Sequence, residues 1–168
     1  MSVIRTILAA FALTAGATIA GAQGMEVPFG TLSHDMKLPV EVSADQLDVD
    51  QEDGDALFSG HVRVGQGDMR LAAERLRVIY AKDPETGRTR ISQMHATGGV
   101  VVTNLDEAAE SDEAVYSIDA GTIVMTGNVL LTQGPNAISG QRFTVDLATG
   151  KGTMQGPVRT ILRPESDG

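Results

Sequence analysis

The chain has 168 residues, 42% hydrophobic, 21% charged and only 4% aromatic, which is enough for one modest core and a single domain. Thirteen Lys and Arg against 22 Asp and Glu leave a net charge of −9, which argues against an electrostatic grip on nucleic-acid phosphates, and the lack of Trp makes base stacking improbable. With no cysteine there is no disulfide framework, thiolate metal site or thiol nucleophile, so packing and backbone pairing must hold the fold.

At the start of the chain Arg5 precedes an apolar run from Ile7 to Ala20 that ends in the small triplet Ala20-Gly21-Ala22. This pattern predicts a cleavable secretory signal over residues 1–22, cut after Ala22, because the run is short for a membrane span and no basic stop signal follows it. Residues 23–37 then read as a flexible N-terminal segment, 38–163 as the folded domain and 164–168 as a C-terminal tail.

From residue 40 onward apolar side chains alternate with polar ones, as in Leu47-x-Val49, Phe58-x-Gly60-x-Val62-x-Val64, Met69-x-Leu71 and Leu76-x-Val78. A period of two is that of strands with one greasy and one wet face. The wet parity carries Asp48, Asp50, His61, Arg63, Arg75 and Arg77. Glu107 to Ala114 is ambiguous by local propensity, but the register of the repeat described next makes it strand as well.

A small-Gly-x-Val-like phrase recurs as Ser59-Gly60-His61-Val62, Gly98-Gly99-Val100, Thr126-Gly127-Asn128-Val129 and Gln155-Gly156-Pro157-Val158. A second phrase, opened by a small residue, starts at Ala44, Ala73, Ser111 and Gly140. The second phrase precedes the Gly phrase by 16 residues in three units and by 25 in one, and the return step is always 13. The extra nine residues fall on the hydrophilic stretch Lys82 to Arg90. Turn glycines keep the same register, at Gly54, Gly121 and Gly150 and again at Gly67 and Gly134. Four units of roughly 29 residues predict an all-β, elongated, antiparallel stack in which each unit covers its neighbour's apolar face.

The candidate chemical motifs are poor matches. The acidic run Asp45, Asp48, Asp50, Glu52, Asp53, Asp55 fails calcium-loop spacing, since Asp53 stands where Gly is needed and Ser59 where Glu is needed; it reads as a solvated hairpin. Gly150-Lys151-Gly152 lacks the first Gly and the Ser or Thr of a phosphate loop. His34, His61 and His95 show neither zinc-pair nor hydrolase spacing. Seven of the thirteen bases lie between residues 63 and 90, an asymmetry consistent with an anion-contacting rim or with ordinary solvated charge. No catalytic residue, cofactor or metal is expected.

The greasy face must be filled by its own side chains or offered to something else. Few aromatics and four methionines, Met69, Met94, Met125 and Met154, suit an interior that adapts to acyl chains. The residues alone leave that reading level with a closed-core periplasmic scaffold, and a hydrolase acting on envelope polysaccharide is a third reading.

The phrases Val42-Ser43-Ala44-Asp45-Gln46-Leu47, Phe58-Ser59-Gly60-His61-Val62-Arg63-Val64, Gln66-Gly67-Asp68-Met69-Arg70-Leu71 and Met125-Thr126-Gly127-Asn128-Val129 resemble the LptA/OstA family of periplasmic lipopolysaccharide transport proteins, over about residues 38 to 160. The resemblance implies an elongated, twisted, open antiparallel β-jelly roll, taco-like in section, built from about four strand-pair repeats. It implies a periplasmic role in outer-membrane biogenesis: a bridge, assembled head to tail, that carries lipopolysaccharide by its lipid A from an LptC-like inner-membrane partner to an LptD-like outer-membrane partner. The related LptC-type component, which keeps a membrane anchor, is the alternative within the family. Carried onto this chain, the lipid-facing N-terminal strand is Val40 and Val42. Parity extends the lipid-binding set to Leu47, Val49, Phe58, Val62, Val64, Met69, Leu71, Leu76, Val78, Val100, Val102, Met125, Val129 and Leu131. Sheet edges near residues 40 and 160 are expected to pair with a neighbouring protomer.

Overall fold

The computed structural model describes residues 25–28, 38–50 and 54–162. Within them the chain forms strands β1 (Met25–Pro28), β2 (Glu41–Ser43), β3 (Gln46–Asp50), β4 (Asp55–Gln66), β5 (Met69–Lys82), β6 (Thr89–Asn104), β7 (Glu107–Ser117), β8 (Thr122–Gln133), β9 (Asn136–Asp146), β10 (Lys151–Gln155) and β11 (Arg159–Ile161). No helix occurs among the described residues, and the ambiguous stretch 107–114 lies inside β7. The expected signal and C-terminal tail lie outside the described residues. The stretch 23–37 contains β1, which pairs antiparallel with β10; the rest of it is also outside.

All strands belong to one antiparallel sheet in the order β1-β10-β9-β8-β7-β6-β5-β4-β2, with β3 beside the far half of β4 and β11 beside the far half of β9. Six long strands, β4 to β9, form a meander whose tight turns carry Gly67 (φ 56°), Gly121 (φ 61°) and Gly134 (φ 52°), where a Cβ would be strained. The Lys82 to Arg90 insertion lengthens the β5–β6 hairpin. Its turn is closed by Asp83, whose carboxylate accepts hydrogen bonds from the Glu85 and Thr86 backbone N–H groups at 3.0 and 2.7 Å.

The pairing slips near the middle of every long hairpin, between Ser59 and Val62, Ala72 and Arg75, Thr97 and Val100, Glu110 and Glu113, and Thr126 and Val129. These bulges line up across the sheet and crease it. The recurrent Gly phrase supplies the left-handed backbone the crease needs, at Gly60 (φ 76°) with His61 (φ 48°), Gly98 (φ 87°) with Gly99 (φ 70°), and Gly127 (φ 81°) with Asn128 (φ 48°). The second phrase has a physical meaning too. Its second residue, Asp45, Glu74, Asp112 or Gln141, lies directly over the glycine of the Gly phrase on the paired strand, so close that a Cβ at Gly60, Gly98, Gly127 or Gly156 would strike it. Asp45 and Asp112 also hold the left-handed residues by their side chains, at 2.6 Å to His61 Nδ1 and 2.9 Å to Asn128 Nδ2.

Side chains on one face of the creased sheet form the core, which includes Val62, Leu76, Val100, Met125, Phe143 and Met154, all nearly or wholly buried. Among the described residues no strand comes within 8 Å Cα–Cα of a strand other than its hydrogen-bonded neighbours, so the halves on either side of the crease meet only through side chains. The sheet does not close into a barrel. One edge is β2 followed by β3, and the other is formed by β1 and β11.

Candidate functional site: an apolar trough

Cross-strand register turns the core into rows that run across most of the sheet. On one side of the crease Leu47, Phe58, Leu76, Ala96, Ala114, Met125, Phe143 and Met154 are successive partners. On the other side the row is Val42, Val64, Leu71, Val102, Ala109, Leu131 and Ile138. A residue and its antiparallel partner share a face, so each row is a continuous apolar strip crossing seven or eight strands.

The two strips face one another across a small internal void of about 20 Å³, bounded by Val64, Gln66, Met69, Leu71 and Val102 from one half and by Leu76, Met94, Ala96, Ala114, Tyr116 and Ile123 from the other. The void lies where Ala96 and Ala114 leave volume unfilled. It has room for about one water and none for an acyl chain, so at this point the two halves pack side chain against side chain. Because the crease lies mid-strand, folding along it brings the hairpin turns at opposite strand ends together as two lips. One lip is polar on its inner face: Gln66, Asn104 and Glu107 are buried there, Gln66 Nε2 donates to the Leu38 carbonyl at 2.9 Å, and Gln133 Nε2 donates to Glu107 Oε1 at 2.6 Å. The other lip carries Ile91, Ile118 and Leu147 against the core.

Of the sixteen residues expected to face lipid, Val62, Val64, Met69, Leu76, Val78, Val100, Val102, Met125, Val129 and Leu131 are buried inside the trough, and Val40, Val42, Phe58 and Leu71 are half-buried at its margins. Leu47 and Val49 have the inward parity but are 52% and 64% exposed, because β3 is an edge strand with nothing beyond it. Met94 and Met154, expected inside from the sequence, are buried there too, and residues absent from the expectation complete the surface, above all Tyr116, Ile123, Phe143 and Val145. Extending the same alternation through β7 to β10 would have found them. The buried polar lip, by contrast, follows no apolar period.

Apart from Glu107 on the polar lip, charge among the described residues is kept on the outer face. Arg77 Nη2 meets Asp55 Oδ2 at 2.6 Å, and Arg90 bridges Asp119 and Asp83, so part of the basic segment is matched by acids of neighbouring turns. The hydrogen bond and charge of Asp45 raise the His61 pKa above its ordinary 6.5. Backbone donors at Thr86 and Thr149 hold Asp83 and Asp146 below the usual carboxylate range. Inside, burial pushes the Tyr116 phenol up.

Comparison with known proteins agrees with this architecture. An uncharacterized protein of Rhizobium meliloti strain 1021 is 28% identical over 166 residues, covering 95% of this chain and 86% of its own. The crystal structure of LptH, the LptA-homologous periplasmic component of the lipopolysaccharide transport device of Pseudomonas aeruginosa, superposes with a TM-score of 0.68 over 77% of this chain and 99% of its own, at 16% identity. That match shares the open antiparallel β-jelly roll. Residues 41–151 match the family described as LptA/(LptD N-terminal domain) LPS transport protein, and the chain belongs to that family.

Proposed function

We propose that this protein is a periplasmic carrier that shields the acyl chains of lipopolysaccharide in the trough and passes them from the inner to the outer membrane by head-to-tail assembly. The observation that carries this reading is the pair of apolar strips crossing seven and eight strands, one of them running out to the exposed Leu47 on the β3 edge. Exposing an acyl chain to water costs roughly 0.8 kcal/mol per CH₂, so an unbroken apolar path removes the main barrier to transit. Packing between the halves is compatible with loading. When the two halves part, side-chain contacts within the trough are exchanged for contacts with lipid of the same polarity, and the apolar surface stays out of water.

Both edges support assembly. Leu47 and Val49 on β3, and Ile161 and Leu162 at and just beyond β11, are at least half exposed, and edge strands offer backbone groups for pairing. Residues 1–22 act as the export signal, and the terminal partners are LptC-like and LptD-like proteins. Anionic sugar phosphates stay outside the trough, which reconciles an anionic cargo with an acidic carrier. A photo-crosslinking residue at Leu131 tests the reading. Adducts with lipopolysaccharide are expected when the protein is expressed in the envelope, whereas adducts confined to the outer-face position Arg63 would favour a closed structural scaffold.

A further inference from the structure

The Tyr116 side chain is 4% exposed, and its hydroxyl oxygen is shut off from solvent with no hydrogen-bond partner among the described residues. A buried donor left unmade is costly, and burial in the sheet of a ring that must carry one is unusual when Phe would fill the same volume without the penalty. Its position is equally specific. Tyr116 pairs with Ile123, the last register but one before the Ser117–Thr122 strand ends, so it stands just inside the mouth rather than at the crease. It borders the void together with Ala96 and Ala114, the small residues that leave space beside it, and Gln66 comes to the same void from the opposite lip.

We infer that the Tyr116 hydroxyl is a hydrogen-bond donor for the acyl linkage of the bound lipid, the ester or amide carbonyl that joins each chain to its sugar. This rests on the reading of the trough as a lipid site and adds a polar recognition point to it. With sugars and phosphates outside and hydrocarbon within, the linkage carbonyls are the first lipid groups past the lips, at the depth where Tyr116 lies. An acceptor there satisfies the phenol, since the surrounding Met94, Ile123 and Leu76 offer no partner and the Gln66 amide across the void makes no hydrogen bond to it. The trough then registers the lipid by its linkage level, and chain length remains free to vary toward the crease.

The test compares Tyr116→Phe with the wild-type protein, using a diacylated glucosamine 1-phosphate and its dialkyl-ether counterpart of equal chain length, each measured by displacement of a hydrocarbon fluorophore. The wild-type ester-over-ether preference is expected to exceed that of the Phe variant by about five- to tenfold, the worth of one such hydrogen bond. Thermal melting should leave the Phe variant as stable as the wild type or more so. An unchanged ester-to-ether ratio, with both lipids still displacing the fluorophore, overturns the inference and leaves the trough reading standing. Failure of both lipids to displace it from the wild-type protein overturns both.

Discussion

Gly127 shows how one residue type is dictated by its place. Its φ of 81° is left-handed, and the Asp112 side chain occupies the space a Cβ would need. Gly134 has a left-handed φ of 52° as well, but open space around it. Gly127→Ala is therefore expected to cost about 2–4 kcal/mol and Gly134→Ala only about 1 kcal/mol, read as thermal or denaturant unfolding. Equal losses would mean that the crease contact contributes nothing. At the neighbouring crease position, the raised pKa of His61 has a definite sign: any stabilisation by the Asp45 pair is present in full below about pH 6.5 and fades as pH rises through the higher folded value. An NMR titration of the His61 ring should give a midpoint above 6.5 that drops in Asp45→Asn. A midpoint indifferent to that change would remove Asp45 as the cause.

At the scale of the strand, the same inward parity has different consequences in the middle and at the edge of the sheet. Phe143 on β9 is wholly buried, and Phe143→Ala should cost about 3–5 kcal/mol of unfolding free energy. Val49 on β3 is 64% exposed, and Val49→Lys should leave monomer stability within about 0.5 kcal/mol while weakening end-to-end association, measured by sedimentation velocity. Retained association in that variant would place the contact on another edge. Strand identity was legible because alternation is a local property, and the Gly phrase was legible as a repeat, but not as a crease, since the pairing slip it serves appears only once the strands are in register. The exposure of Leu47 and Val49 was not legible, since parity says which face a side chain takes and nothing about whether another strand covers it. Nor was the polar lip of Gln66, Asn104 and Glu107, whose burial depends on how the halves fold over one another.

For the whole molecule, the aligned bulges make a crease and the apolar strips line the two halves on either side of it. The four-unit repeat visible in the sequence is thus a repeat of crease segments, each glycine roofed by a side chain of the paired strand. An interior filled mainly by aliphatic and Met side chains can exchange its own contacts for those of acyl chains, whereas a core locked by polar networks could not. The central claim is that lipid enters because the lips part. The chain has no cysteine, so Asp68→Cys and Ala120→Cys, on exposed turns of opposite lips, can be spin-labelled without background. Pulsed electron-electron resonance between the labels should give one short distance in the free protein and a longer one when lipopolysaccharide is added. An unchanged distance distribution in protein that demonstrably carries lipid would contradict the account.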